Sequence, residues 1–420
     1  MPIQGTDNMS APQKKILIIV MDGLGDRVCP GLRGMTPLQF MRTPNLDWFV
    51  AHGQGGLCDP ISPGIRPGSD TAHLSILGYD VNEVYTGRGP FEALGVGMDI
   101  QPGDVALRCN FATVDDSLEI VDRRAGRIRE PETTELVEAL DGIEFEGIEC
   151  YVKESTEHRA VLLLRGDDLD PRITDPDPGG DTHLRMAEPL VEEAQLTADV
   201  VNLFMEECHQ RLRNHPTNRK RVAAGLPPAN ILVPRGAGSF PHIDPFPEVH
   251  GISATCVAGV GMIKGICKAC GLDVYPLPDD CDGSLESDYI IKAQCAIEAL
   301  KEYDFVLMNC KAPDIAGHDG DAKLKCETVR KLDDMAGYIR QELPKDIVVV
   351  LTSDHCTPCS LMDHSADPVP IAFYTDGIIR DDACEFSEIG CSRGMVGRIR
   401  GNDIVPIAMD LANRTEKFGS

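Results

Sequence analysis

No stretch of this 420-residue chain approaches the roughly 20 consecutive apolar residues that cross a bilayer, so a membrane-spanning helix is not expected. The opening MPIQGTDNMSAPQKK holds no apolar block of the signal-peptide kind; residues 1–14 are expected to form a disordered tail and the protein to be cytoplasmic. Positive charge is scarce. Lys and Arg number 40 against 67 Asp and Glu, a formal net charge of −27, which argues against non-specific nucleic-acid partners and anionic membranes, since both attract basic patches. An anionic small-molecule substrate suits such a chain only where bound cations and local arginines reverse the field. GxGxxG spacing is absent from GVGMIKGICKACG (259–271), so no dinucleotide fingerprint is read there. Cysteine is plentiful at 16, but lacks the dense, regular spacing of a small secreted scaffold, which favours reduced thiols over disulfides. Two CxxC pairs, Cys267 with Cys270 and Cys356 with Cys359, have no second pair at finger-like spacing, so zinc is the minor reading for each.

What is present is a repeated pattern of apolar runs ending in polar residues. With 42% hydrophobic and 25% charged residues, the chain can build one large core plus an insertion, or two domains. KILIIVM (15–21) reads as a buried strand running into Asp22 and Gly23, where a carboxylate leaves the strand and glycine permits a tight turn. DFVLMN (304–309) is a second such strand, followed by KAPDIAGHDGD, in which Asp314 and His318 stand four residues apart and share one face of a helical turn. A third run, 347–351, ends at Asp354 and His355, with His364 nine residues on. In open α/β sheets ligands gather at the carboxyl ends of strands, so carboxylates and imidazoles leaving several strands together would grip cations. Each taken singly is also an ordinary turn or loop residue.

Pro63, Gly64, Pro67 and Gly68 forbid regular structure up to Ser69, after which DTAHLSIL can run as a helix to Gly78. Ser69 is then an N-cap or, with helix N–H groups favouring an anion beside it, a nucleophile. From 110 to about 235 short strand-like pieces alternate with turns, the mark of an α+β insertion. That stretch carries Arg123, Arg124, Arg127, Arg129, Arg159, Arg165 and Arg172, a residue type suited to phosphate and carboxylate, although several must be solvated surface charges. A long helix is expected over 188–213, and Lys264 falls on a small helix whose glycines permit close approach to a ligand.

MDGLGD (21–26), PGSDTAHLSILGYD (67–80), APDIAGHDGD (312–321) and SDH followed by HSADPVP (353–370) resemble the alkaline-phosphatase superfamily, and the set is similar to the archaeal-type 2,3-bisphosphoglycerate-independent phosphoglycerate mutases. NFATV, VDRRAGRI and RGAG extend the similarity, which runs from about Lys15 to Leu411. The resemblance implies an α/β fold, an alkaline-phosphatase-like three-layer sandwich with a central, mostly parallel sheet. Residues 15–109 and 236–420 would form the metal-binding catalytic domain and 110–235 an α+β lid that binds substrate. It further implies two divalent ions (manganese, magnesium or zinc), one held by Asp22, Ser69, Asp354 and His355, the other by Asp314, His318 and His364. Ser69 would become phosphoserine, and Lys264 would neutralise charge or protonate the departing oxygen. Arg123, Arg124, Arg159 and Arg165 would contact phosphoglycerate. The HSGG and VHS insertion motif of the longer bacterial mutases is missing. A phosphotransferase or phosphohydrolase acting on another small ester, or a non-catalytic metal-binding protein, are the rival expectations, because shared metal ligands do not set the substrate.

Overall fold

A computed structural model describes residues 12–179 and 182–419; the expected tail therefore lies, up to residue 11, outside the described residues. In chain order the strands are β1 (Lys15–Met21), β2 (Gln54–Asp59), β3 (Val105–Val114), β4 (Ile120–Asp122), β5 (Ile143–Phe145), β6 (Ile148–Glu154), β7 (Arg159–Arg165), β8 (Ile231–Ser239), β9 (Ala254–Val257), β10 (Asp273–Val274), β11 (Phe305–Cys310), β12 (Ile347–Thr352), β13 (Val369–Tyr374) and β14 (Gly397–Arg400). They belong to two compact units, Met1–Glu83 with Asp244–Val260 and Gly271–Ser420, and Val84–Ile243 with Gly261–Cys270. No helix among the described residues is long and apolar enough to cross a membrane.

The first unit is built on one sheet in the order β10-β9-β11-β1-β12-β13-β2-β14. All neighbours are parallel except β13, which runs against both β12 and β2. Such a sheet needs cover on both faces, and the sequence supplies it: Ile16 to Met21 are all fully buried, with no alternation. Leu17, Ile19 and Met21 pack with Val329, Leu332, Met335 and Ile339 of the helix Ala322–Glu342 and with Leu46, Phe49 and Val50 of Pro44–Ala51. Their neighbours Ile16, Ile18 and Val20 point to the other face, where the helix Ile404–Leu411 lies against β12. Register decides function here. Met21 pairs with Cys310 and Val20 with Thr352, so β11, β1 and β12 end side by side and release Lys311, Asp22 and Ser353 at one edge.

The second unit is α+β. Its sheet runs β4-β3-β7-β6-β5 with β8 on the free side of β3, every pair antiparallel. The helix Gln195–Leu212 packs its Ala198, Val201, Phe204 and Cys208 onto this sheet. That helix starts after the expected residue 188, because Pro189 sits in an extended bridge with Ile173 and Val191 is extended too. The unit also takes in 84–109, 236–243 and 261–270. Boundaries at 109 and 235 would cut continuous strands, since β3 and β8 pair from Ala112↔Ile231 to Val105↔Ser239. The helix Gly261–Ala269 belongs here because it crosses Gly89–Gly95 closely: a Cβ on Gly265 would stand 1.8 Å from the Phe91 carbonyl oxygen. Its glycines serve helix packing.

Candidate metal centre

Asp22 leaves β1 fully buried and Gly23 follows at φ +63, passing so close to Asp314 that a Cβ there would stand 2.6 Å from it. The Gly23 N–H donates to Asp354 Oδ1 (3.0 Å), and Asn309 Nδ2, from β11, donates to Asp22 Oδ2 (3.1 Å). Lys311 Nζ bridges Asp22 Oδ1 at 2.8 Å and Asp314 Oδ2 at 2.7 Å. Asp314 and His318 lie on the short helix Ala312–His318, with His318 Nε2 3.4 Å from Asp314 Oδ1. Ser69 opens the helix Ser69–Ile76, and its Oγ stands 3.0 Å from His355 Nε2.

The imidazoles are presented alike. His318 Nδ1 donates to the Met362 carbonyl (2.9 Å) and His364 Nδ1 to the Pro67 carbonyl (2.8 Å). Thr357 Oγ1 donates its one proton to Asp314 Oδ1 (2.7 Å), so it accepts from His355 Nδ1–H at 3.0 Å. All three rings therefore turn an Nε2 lone pair toward the carboxylates, the tautomer a metal ligand needs. Burial pulls the His355 imidazole down to about 4 against the opposite pull of Asp314 and Asp22, and it lowers His364 as well, with His355 adding to that. The His355 and His364 rings are therefore neutral near pH 7, and their contacts with Asp22, Asp314 and Asp354 are not ion pairs.

The carboxylates divide. Burial, then the nearby Asp22 charge, pushes Asp354 up to about 7. Burial acts the same way on Asp314, but Lys311, His355 and His318 outweigh it and hold that carboxyl well below the usual range. Asp354 Oδ2 is buried with no hydrogen-bond partner. A buried carboxylate oxygen lacking a partner beside a second carboxylate is unfavourable for the chain alone and is what a cation relieves. Two sets of ligand atoms close enough to hold one fit this: Asp22, Asp354 and His355, and Asp314, His355 and His364. Oxygen and nitrogen donors of this mixture suit divalent ions such as manganese, magnesium or zinc. His318 sits at the rim, its ring 5.2 Å from that of His364.

Asp22, Ser69, Asp314, His318, Asp354, His355 and His364 are thus brought together in one unit. Lys264 is not in that unit; it lies half-buried on the helix Gly261–Ala269 of the second. Asn309, Lys311 and Thr357 carry no sequence signal of their own, because their roles depend on strand order. Of the arginines, Arg123, Arg124 and Arg159 line a cavity of about 300 Å³ in the second unit, joined by Arg108, Arg235 and His158. Arg123 pairs with Asp177 (2.7 Å). Burial, then Arg88 and Arg235, lowers the Arg108 guanidinium to about 9, and burial with Arg159 takes His158 to about 4. Arg165 is not there. It sits at the other end of β7, bound to both oxygens of Asp104 at 3.0 and 2.6 Å. Arg108 had a signal, a charge inside the apolar run of β3.

A family model described as 2,3-bisphosphoglycerate-independent phosphoglycerate mutase matches residues 51–218. A protein of that name from Methanocaldococcus jannaschii is 46% identical over 410 residues, 97% of this chain and 99% of that one. Its namesake from Methanopyrus kandleri is also 46% identical, with 97% and 99% covered. Among solved structures, the cofactor-independent phosphoglycerate mutase of Thermoplasma acidophilum is 38% identical with a TM-score of 0.70, covering 95% of this chain and all of that one. The PH0037 protein of Pyrococcus horikoshii is 39% identical with a TM-score of 0.86, covering 98% and 100%.

Proposed function

We propose, for a chain that belongs to the 2,3-bisphosphoglycerate-independent phosphoglycerate mutase family, that it is an isomerase interconverting 3-phosphoglycerate and 2-phosphoglycerate through a phosphoserine on Ser69. The observation that carries this reading is the Ser69 hydroxyl 3.0 Å from His355 Nε2, inside a group of buried carboxylates and imidazoles whose lone pairs converge. Asp22, Ser69, Asp354 and His355 would hold one divalent ion, and Asp314, His318 and His364 the other. Bound there, such ions lower the pKa of a hydroxyl and offset charge on phosphoryl oxygens.

Ser69 Oγ takes the phosphoryl group, forming its bond to phosphorus as the substrate's ester oxygen leaves. Ser69 stands in the first turn of its helix, where the helix dipole favours an anion. Glycerate then presents its other hydroxyl and takes the group back. Lys264 is the group assigned to neutralise charge or protonate the departing oxygen. Arg108, Arg123, Arg124, Arg159 and Arg235 are assigned the phosphate and carboxylate of phosphoglycerate, bidentate work that guanidinium groups suit.

An enolase-coupled assay with manganese and 3-phosphoglycerate, and no added bisphosphoglycerate, tests the reaction. The expected result is steady formation of 2-phosphoglycerate. Release of inorganic phosphate without 2-phosphoglycerate would make the protein a phosphohydrolase instead.

A further inference from the structure

The first unit holds a second group of ligand atoms, of different chemistry. Cys29, Cys326 and Cys359 come together with Leu32 in a small buried cluster, drawn from the loop after β1, the helix Ala322–Glu342 and the loop after β12. A carboxylate oxygen of Asp26 and the Sγ atoms of Cys29 and Cys359 all lie within 4.8 Å of one another. Asp26 Oδ1 is 3.8 Å from Cys29 Sγ and accepts the Cys359 N–H at 3.2 Å. Lys325 Nζ holds the other oxygen at 2.9 Å and anchors both loops through the Gly25 and Thr357 carbonyls, at 3.0 and 2.8 Å. Cys356 takes no part, its Sγ facing the Asp367 carbonyl at 3.4 Å, so the sequence pair Cys356 with Cys359 is split.

We propose that Asp26, Cys29 and Cys359, with Cys326 beside them, form a separate cation site that takes a soft ion, zinc by preference, and ties the loop after β1 to the loop after β12. Tetrahedral zinc with sulfur at about 2.3 Å places its ligand atoms about 3.8 Å apart, the separation Asp26 Oδ1 and Cys29 Sγ already have, so the remaining pairs need at most about 1 Å of contraction. Charge fits as well. In the thiol form Asp26 and Lys325 cancel; when one divalent ion enters and two thiol protons leave, the buried sum of ion, two thiolates, carboxylate and ammonium is again zero. The thiolate donors separate this site from the oxygen and imidazole cluster, which favours harder ions.

Cobalt(II) titrated into the full chain tests this, because thiolate ligation gives an intense sulfur-to-cobalt absorption that oxygen and imidazole ligands do not. The band is expected in the wild type and in Asp314→Asn, and is expected to vanish in Cys29→Ser and Cys359→Ser. On the wild type alone, zinc should protect Cys29 and Cys359 from iodoacetamide, read peptide by peptide by mass spectrometry, while the exposed Cys384 reacts equally with and without zinc. No band with cobalt bound, a band untouched by either serine substitution, or alkylation of Cys29 and Cys359 indifferent to zinc would overturn the proposal.

Discussion

The strand-end cluster of the first unit and the arginine cavity of the second are opposites in charge and alike in one respect. Among the described residues, the six buried side-chain atoms left without a hydrogen-bond partner all fall in these two places: Asp354 Oδ2 and Asn309 Oδ1 in the one, Arg108 Nε, Asn110 Oδ1, His158 Nδ1 and Arg159 Nε in the other. Buried polar groups are nearly always paired, so unmet donors and acceptors gathered in two regions are what the proposed ligands would satisfy. On that proposal the carboxylates would take a cation and the guanidinium groups an anion. A chain of net charge −27 thus concentrates positive charge in one cavity and unmet negative charge in one cluster.

The comparison breaks most severely if the cluster needs no cation. Asp354→Asn and Asp314→Asn are each expected to cut mutase turnover at least about 10³-fold, the effect of losing several kcal/mol of charge stabilisation, and to lower bound manganese measured by elemental analysis. Asp354→Asn should at the same time stabilise the metal-free protein at pH 8. Its carboxyl, raised to about 7, contributes favourably when protonated and loses that contribution as pH rises from its ordinary value through 7. Thermal melts in a chelator read this, and a melting point lower than wild type at pH 8 would count against it.

Arg108→Ala and Arg159→Ala are expected to raise KM for phosphoglycerate about 10- to 100-fold, the range of one charged hydrogen bond, with manganese content unchanged. A fall in metal content instead would erase the distinction between the two regions. A smaller effect separates them by pH. His158, held near 4 against an ordinary 6.5, stabilises the fold while neutral, a contribution present above pH 6.5 and lost as pH falls toward 4. The stability difference between wild type and His158→Gln, from urea melts, should therefore be level above pH 6.5 and shrink below it; a difference that grows on acidification would refute this. Arg165→Ala is expected to do least, leaving KM within about twofold and costing up to about 1 kcal/mol through the part-exposed pair with Asp104.

Much of the cluster was legible because each ligand follows an apolar run. Asp22, Asp314 and Asp354 stand just past strands whose unbroken hydrophobicity announces a parallel sheet, and Ser69 just past two Pro-Gly pairs. Lys311 and Thr357 were not, because an ammonium bridging Asp22 and Asp314 exists only once β11, β1 and β12 are neighbours, and local periodicity does not encode that order. Arg159 and Arg165 are the two ends of one strand on one face; alternation names the face but not the end at which the cavity lies. The expected limits at 109 and 235 fall inside strands for a related reason, since β3 and β8 look like separate pieces until their pairing makes them one ribbon. The glycines of Gly261–Ala269 were expected to admit a ligand, and Gly265 instead admits the neighbouring helix Gly89–Gly95.

Mass spectrometry on protein quenched during turnover with manganese and 3-phosphoglycerate tests the central claim most directly. A phosphate is expected on Ser69, absent from Ser69→Ala and from metal-stripped wild type. Phosphate on a histidine, or steady turnover by Ser69→Ala, would contradict it.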